Sequence, residues 1–150
     1  MTIITAGCFD LIHVGHINLL LFCRQLAGNN GMVYVCIDAD EKIRADKREP
    51  IFDAYDRFNA IDSLVMYGNK IVTDVFVHRS NDHLEEIIRT WKPDYIVVGS
   101  DYKDKPVVGS EQAKVIFFER DNRFSSTKII EACRKQYIKT IADEYSRTNR

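Results

Sequence analysis

Apolar residues along the chain fall into two kinds of run that alternate. Five are short and rich in β-branched side chains: Thr2 to Ala6, Met32 to Ile37, Ile71 to Val77, Tyr95 to Val98 and Val115 to Phe118. Runs of that length with almost no polar interruption predict strands covered on both faces. Between them the period is helical. From His16 onward Leu19, Leu20, Cys23 and Leu26 recur at three- and four-residue spacing, and the pattern stops at Gly28, Asn29, Asn30 and Gly31. Asp53 opens a second helix through Tyr55, Phe58, Ile61, Leu64 and Val65, ending before Gly68 and Asn69, where glycine takes a left-handed cap without steric penalty. A third spans Asn81 to Trp91, with Leu84, Ile87 and Ile88 on one face, and is closed by Pro93. The fourth begins at Ser125 or Ser126, runs through Ile129, Ile130 and Cys133 towards Tyr137, Ile141 and Tyr145, and frays over residues 146–150. The charged segment Arg44 to Arg48 reads as a loop after the second strand.

Strands alternating with helices imply right-handed crossovers, and so an α/β fold: a Rossmann-like, doubly wound, parallel five-stranded sheet. There is no internal repeat and no Pro/Gly/Ser linker, so residues 1–150 form a single domain, with a C-terminal helix extension from about residue 136. Ligands of such sheets bind beyond the carboxyl ends of the strands.

Composition narrows the partners. A net charge of -1 supplies no broad basic footprint, which argues against a nucleic-acid partner, although Arg44, Lys47 and Arg48 form a local cluster suited to a small anion. The cysteines Cys8, Cys23, Cys36 and Cys133 are scattered and form no C-x-x-C pair, which fits a reducing compartment. The amino terminus has no basic, then apolar, leader pattern, and no apolar stretch is long enough to cross a bilayer. The expectation is therefore a cytoplasmic protein with no membrane partner.

The chemistry-bearing stretch is GCFDLIHVGH, residues 7–16, at the handover from the first strand to the first helix. Gly7 and Gly15 allow close backbone approach, and His16 lies in a first helical turn, whose unpaired amides and positive dipole end suit an anion such as phosphate. The stretch is neither G-x-G-x-x-G nor a P-loop. Zinc binding by His13 and His16 with Cys8 and Cys23 is the weaker reading, since no paired ligand spacing exists. Ser125-Ser126-Thr127 taken alone reads as an N-cap cluster.

His13-Val14-Gly15-His16, preceded by Gly7-Cys8-Phe9-Asp10, resembles the H-x-G-H and G-x-F-D signature of the cytidylyltransferase-like nucleotidyltransferases. Ser125-Ser126-Thr127-Lys128-Ile129 resembles that family's S-T-T-K-I, which opens a late helix. Gly99-Ser100-Asp101-Tyr102-Lys103, followed by Val108-Gly109-Ser110-Glu111, is most similar to the adenylyltransferase domain of ADP-heptose synthases, and Lys47 and Arg48 before Pro50 are similar to its basic loop. The R-T-E-G-I of glycerol-3-phosphate cytidylyltransferases is matched only at Arg120, because Asp121, Asn122 and Arg123 replace its T-E-G. A sugar kinase domain, often fused in ADP-heptose synthases, is not among these residues, so the expectation is that a separate kinase supplies the sugar 1-phosphate.

The resemblance implies attack of a substrate phosphate on the α-phosphate of a nucleoside triphosphate, ATP or CTP, with release of pyrophosphate. The acceptor is a small phosphorylated sugar or polyol: a heptose 1-phosphate giving an ADP-heptose type product, or alternatively glycerol 3-phosphate giving CDP-glycerol. A nucleotide-binding regulator without turnover is the reading from a different class. The implied catalytic residues are His13, His16, Lys47, Ser126 and Thr127. Gly7, Cys8, Phe9, Asp10, Gly15, Arg48, Gly99, Asp101, Arg120 and Ser125 would bind nucleotide, and Arg57 and Tyr102 the other substrate. Mg2+ is the implied cofactor, held through the triphosphate and not by protein ligands. A homodimer is among the assemblies the resemblance allows.

Overall fold

In the computed structural model, residues 1–46, 48–121 and 123–148 are described. Lys47 therefore lies outside the described residues, as does the end of the stretch expected to fray.

Five parallel strands form the sheet: β1 (Thr2–Gly7), β2 (Met32–Asp38), β5 (Asp74–His78), β6 (Tyr95–Gly99) and β7 (Lys114–Phe118), in the order β5-β2-β1-β6-β7. The register pairs Thr2 with Met32 through Gly7 with Ile37, and Ile3 with Tyr95. Helix α1 (Val14–Ala27) follows β1, α4 (Asn81–Trp91) follows β5, and α5 (Ser126–Thr148) follows β7. The expected α/β, Rossmann-like architecture is thus the one observed.

Alternating side chains build the two faces. Ile3, Val33 and Val97 are fully buried with Cys23 and Ala27 of α1, whereas Ile4, Tyr34, Cys36, Ile96 and Val98 pack with Leu84 and Ile88 of α4. Since β1 is central and its two neighbours are reached by crossovers in opposite senses, its carboxyl end is the switch point of the sheet. No helix among the described residues is long and apolar enough to cross a membrane.

Three local expectations change. The segment after β2 is not wholly a loop, because Asp40–Asp46 forms a short helix α2 that buries Ile43. The second helix, α3 (Ala54–Asp62), stops before Leu64 and Val65. The chain there turns into a hairpin of β3 (Val65–Met66) and β4 (Asn69–Lys70), in which Tyr67 (φ 50°) and Gly68 (φ 78°) supply the paired left-handed residues of a two-residue turn. Glycine is left-handed as expected, but in a hairpin and not at a helix cap. Finally, β5 begins three residues later than Ile71, which is buried in the approach to the strand together with Val72.

Candidate active site

Ten residues of the first motif turn the chain from β1 into α1 within a tight loop. Phe9 (φ 51°) and Leu11 (φ 54°) are both left-handed, a conformation costing about 1–2 kcal/mol each in side-chain-bearing residues. Asp10, between them, holds the loop in place. Its side chain is fully buried; Oδ1 accepts the amide of Phe52 at 3.0 Å, and Oδ2 accepts the amide of Ile51 at 2.8 Å and Nη1 of Arg48 at 2.7 Å. Burial alone would raise this carboxyl, but the two amides and the guanidinium more than offset it and hold its pKa below the ordinary value.

The spacing of the two histidines has a local explanation. His13 is the N-cap of α1, and its Nδ1 accepts the amide of Gly15 at 3.1 Å, while Nδ1 of His16 accepts the amide of His13 at 3.4 Å. The pair forms a reciprocal capping box built from imidazoles. A ring nitrogen that accepts cannot carry the proton, so the neutral form of each ring bears it on Nε2. The rings stack with centroids 3.8 Å apart. Burial first, then His13 and Arg120, push His16 down to about 3 against the pull of Asp10; burial and Arg120 also lower His13. Two neutral rings thus present N–H donors at the head of a helix.

That depressed value has a consequence for stability. Between the ordinary histidine value of 6.5 and about 3 the unfolded chain binds the proton and the folded chain does not. The ring therefore costs the fold nothing above pH 6.5 and destabilises it progressively as the pH falls towards 3. Thermal melts should show Tm declining across this window, and His16→Gln should flatten the decline. An equally steep decline in the variant would remove His16 as its source.

The second motif reaches the same place from the other end of the chain. Ser125 caps α5 by accepting the amide of Lys128 at 3.2 Å, and the Ser126 hydroxyl donates to the backbone carbonyl of Asp10. The start of α5 is thereby tied to the β1–α1 loop, 116 residues away in sequence. The first amides of that helix lack intrahelical acceptors.

Around this corner lies a cavity of about 470 Å³. It is lined by Gly7, Cys8, Phe9, Asp10, His13, Gly15, His16, Arg48, Gly99, Asp101, Tyr102, Arg120, Ser125, Ser126 and Thr127, and also by Leu19, Phe118, Asp121 and Phe124, which the sequence did not single out. Arg120 pairs with Asp101 at 3.0 Å, both half-exposed at the mouth. Gly99 makes that pairing possible, since a Cβ there would lie 2.4 Å from Asp101 Oδ1 and 2.6 Å from Arg120 Cδ.

Arg57, expected at the substrate, sits elsewhere and is 1% exposed. It donates to the carbonyls of Phe52, Cys8 and Asp38 and to the carboxylate of Asp40, so its donors join the ends of β1 and β2 to α2 and α3. It lines neither this cavity nor the smaller one beside it.

A second cavity of about 250 Å³ shares Ala6, Gly7 and Tyr102 with the first. Its polar lining is Asp38, Lys42, Asp46, His78 and Asn81 over an apolar floor that includes Leu84, Ile88 and Val98. Asp38 lies 3.2 Å from Lys42 Nζ, and Nε2 of the buried His78 approaches it at 3.1 Å without a well-formed hydrogen bond. Burial would raise Asp38, yet His78 and Lys42 hold its carboxyl below the ordinary range. Asp38 and His78 are each the polar last residue of an otherwise largely apolar strand, the rim where ligands of such sheets bind.

Among the described residues no group of three or more His, Cys, Asp or Glu is placed to hold a metal. Asp10 and Asp101 are already committed to arginines.

Comparison with known proteins places the chain among relatives. A family profile described as "Cytidylyltransferase-like" matches residues 4–132. The chain is 37% identical over 139 residues to the "Bifunctional protein HldE" of Desulfatibacillum aliphaticivorans, covering 88% of this chain and 27% of that protein. It is 33% identical over 139 residues to the protein of the same name from Helicobacter hepaticus, covering 91% and 27%. The chain thus spans about a quarter of the length of these curated relatives. Among solved structures, the lipopolysaccharide core biosynthesis protein from Thermoplasma volcanium superposes with a TM-score of 0.65 at 24% identity, covering 81% of this chain and 98% of that one. A protein with unknown function from Archaeoglobus fulgidus superposes at 0.63 and 15% identity, covering 79% and 90%. At these identities the likeness is one of fold.

Proposed function

The chain belongs to the cytidylyltransferase-like nucleotidyltransferase family, and from that premise we propose that it joins a nucleoside triphosphate to a sugar 1-phosphate, releasing pyrophosphate and an NDP-sugar of the ADP-heptose type. One observation carries the reading: the Ser126 hydroxyl on the Asp10 carbonyl ties the start of α5 to the β1–α1 loop around one cavity, so that the first amides of α5 and a pair of neutral imidazoles line the same volume.

The acceptor's phosphate oxygen attacks the α-phosphorus, the bond to the bridging oxygen of the β-phosphate breaks, and pyrophosphate departs with the electron pair. A phosphomonoester is largely dianionic at neutral pH and needs no strong general base, so positioning and charge stabilisation must supply the rate. Nε2–H of His13 and His16 would donate to the α-phosphate as charge moves onto its oxygens. The α5 amides, Ser125 and Thr127 would hold the leaving β- and γ-phosphates, and Arg48 and Arg120 the remaining charge. Ser126 already donates its hydroxyl proton to Asp10, so we assign it to tying the two motifs together. Mg2+ carried by the nucleotide would supply neutralisation of triphosphate charge. Lys47 remains part of the proposal from its resemblance alone. The location proposed is the cytoplasm, where nucleoside triphosphates are held.

The second cavity would receive the body of the acceptor. Its carboxylates accept from hydroxyls, while Lys42 and Asn81 donate, a combination suited to a polyol whose phosphate stays near Tyr102 and the histidines. Lys42→Ala should raise the acceptor KM about tenfold, the loss of roughly 1.4 kcal/mol of binding, with the nucleotide KM almost unchanged. Equal effects on both substrates would move the acceptor elsewhere.

Resemblance of residues 99–103 and 108–111 to ADP-heptose synthases supports adenine and heptose; CTP with glycerol 3-phosphate is the second reading, supported by the family name and by Arg120. Pyrophosphate release with Mg2+ should be measured for ATP, CTP, GTP and UTP against heptose 1-phosphate, glycerol 3-phosphate and hexose 1-phosphates. Release confined to ATP with heptose 1-phosphate is expected. Release confined to CTP with glycerol 3-phosphate would replace the first reading by the second, and tight nucleotide binding without release would point to a regulator.

A further inference from the structure

Beyond its first turn, α5 leaves the sheet, and every described residue from Glu131 to Arg147 is exposed. This run nevertheless carries four large apolar side chains: Tyr137, Ile138, Ile141 and Tyr145 are 67, 56, 48 and 72% exposed. At about 100° per residue these four, with Arg134 and Glu144, fall within roughly 120° of one helix face. A helix of this length has little stability alone in water unless an apolar face is covered.

We propose that the cover is a second copy of the same helix, paired antiparallel about a twofold axis at Lys139. The argument is one of self-complementarity. Arg134, Tyr137, Ile141 and Glu144 follow a 3-4-3 spacing, which is core spacing for two-helix packing and reads identically in both directions about residue 139. In the antiparallel pair Arg134 faces Glu144 of the second copy, and Tyr137 faces its Ile141. Ile138 meets Ile138 of the second copy beside the axis. A parallel pair would instead stack Arg134 on Arg134 and Glu144 on Glu144, so the charges select the orientation.

Geometry agrees with the pattern. In this register residues 131–147 of the two copies overlap over about 25 Å, which keeps the two sheets at opposite ends of the pair. The interface is isologous and closes on itself, giving a dimer and no filament. None of its residues lines either cavity, so it stands independently of the proposed chemistry.

Sedimentation equilibrium over a concentration series tests the proposal. The parent chain should approach twice its 17.4 kDa. Arg134→Glu and Glu144→Arg should each weaken dimerisation by about tenfold or more through like-charge contacts, and the double variant should restore it to within about threefold. Circular dichroism controls for folding, since both positions are exposed. A parent chain that stays monomeric at hundreds of micromolar, single variants that dimerise like the parent, or a double variant that stays weak would each overturn the pairing. Unchanged dimers in the single variants would place the interface on another surface, such as the exposed apolar hairpin around Tyr67.

Discussion

His16→Ala is expected to lower turnover by about two to three orders of magnitude, the loss typical of removing one preorganised donor from a developing oxyanion, with a smaller cost to stability from the lost acceptor of the His13 amide. The ring is neutral, its Nδ1 is occupied by the His13 amide, and its remaining function is the Nε2–H at the cavity wall. His13→Ala should lose turnover similarly and also remove the N-cap of α1, at a cost of about 1 kcal/mol. His13→Asn separates the two effects: asparagine caps a helix well and should recover stability without recovering rate. Steady-state kinetics and thermal melts on the three variants check this. Turnover within threefold of the parent in His16→Ala would show that the imidazole does not act on the phosphate.

The second large effect is structural. Asp10→Ala should destabilise the fold by about 3 kcal/mol, because it removes the buried carboxylate that accepts the Ile51 and Phe52 amides and leaves the Arg48 guanidinium without its partner. For a chain of this length that corresponds to a fall in Tm of about 10 °C. The left-handed residues Phe9 and Leu11 would no longer be held, so activity should fall as well. Asp10→Asn offers no rescue, since both oxygens face donors and an amide nitrogen would oppose one of them. A variant that melts within 2 °C of the parent would mean that the loop is held by something other than this carboxylate.

The sheet was legible because its strands are apolar on both faces, and a run such as Met32 to Ile37 has no other economical placement. Leu64 and Val65 continue the spacing of α3, and only the hairpin turn at Tyr67 and Gly68 shows that they belong to other geometry. Helix α2 buries Ile43 alone, too little to produce a period. The first motif of the cavity stands out because it combines a helix start with residues suited to phosphate, whereas Ser125-Ser126-Thr127 alone reads as an N-cap cluster and is distinguished only by its resemblance. The place of Arg57 could not be read: the resemblance puts it at the substrate, whereas the carbonyls that surround it come from residues 8, 38 and 52, brought together only by folding. The same holds for Asp10, whose partners lie some forty residues on. The second cavity needed the sheet order, which brings the end of β5 to β2 and sets Asp38 beside His78.

The central claim is attack at the α-phosphorus, and the measurement closest to it follows the label. With ATP or CTP carrying 32P at the α-position, Mg2+ and the matching sugar or polyol phosphate, the label should enter a product containing the acceptor, in step with an equal amount of unlabelled pyrophosphate. Label remaining in a nucleoside diphosphate, with the γ-phosphate transferred or released, would contradict the account.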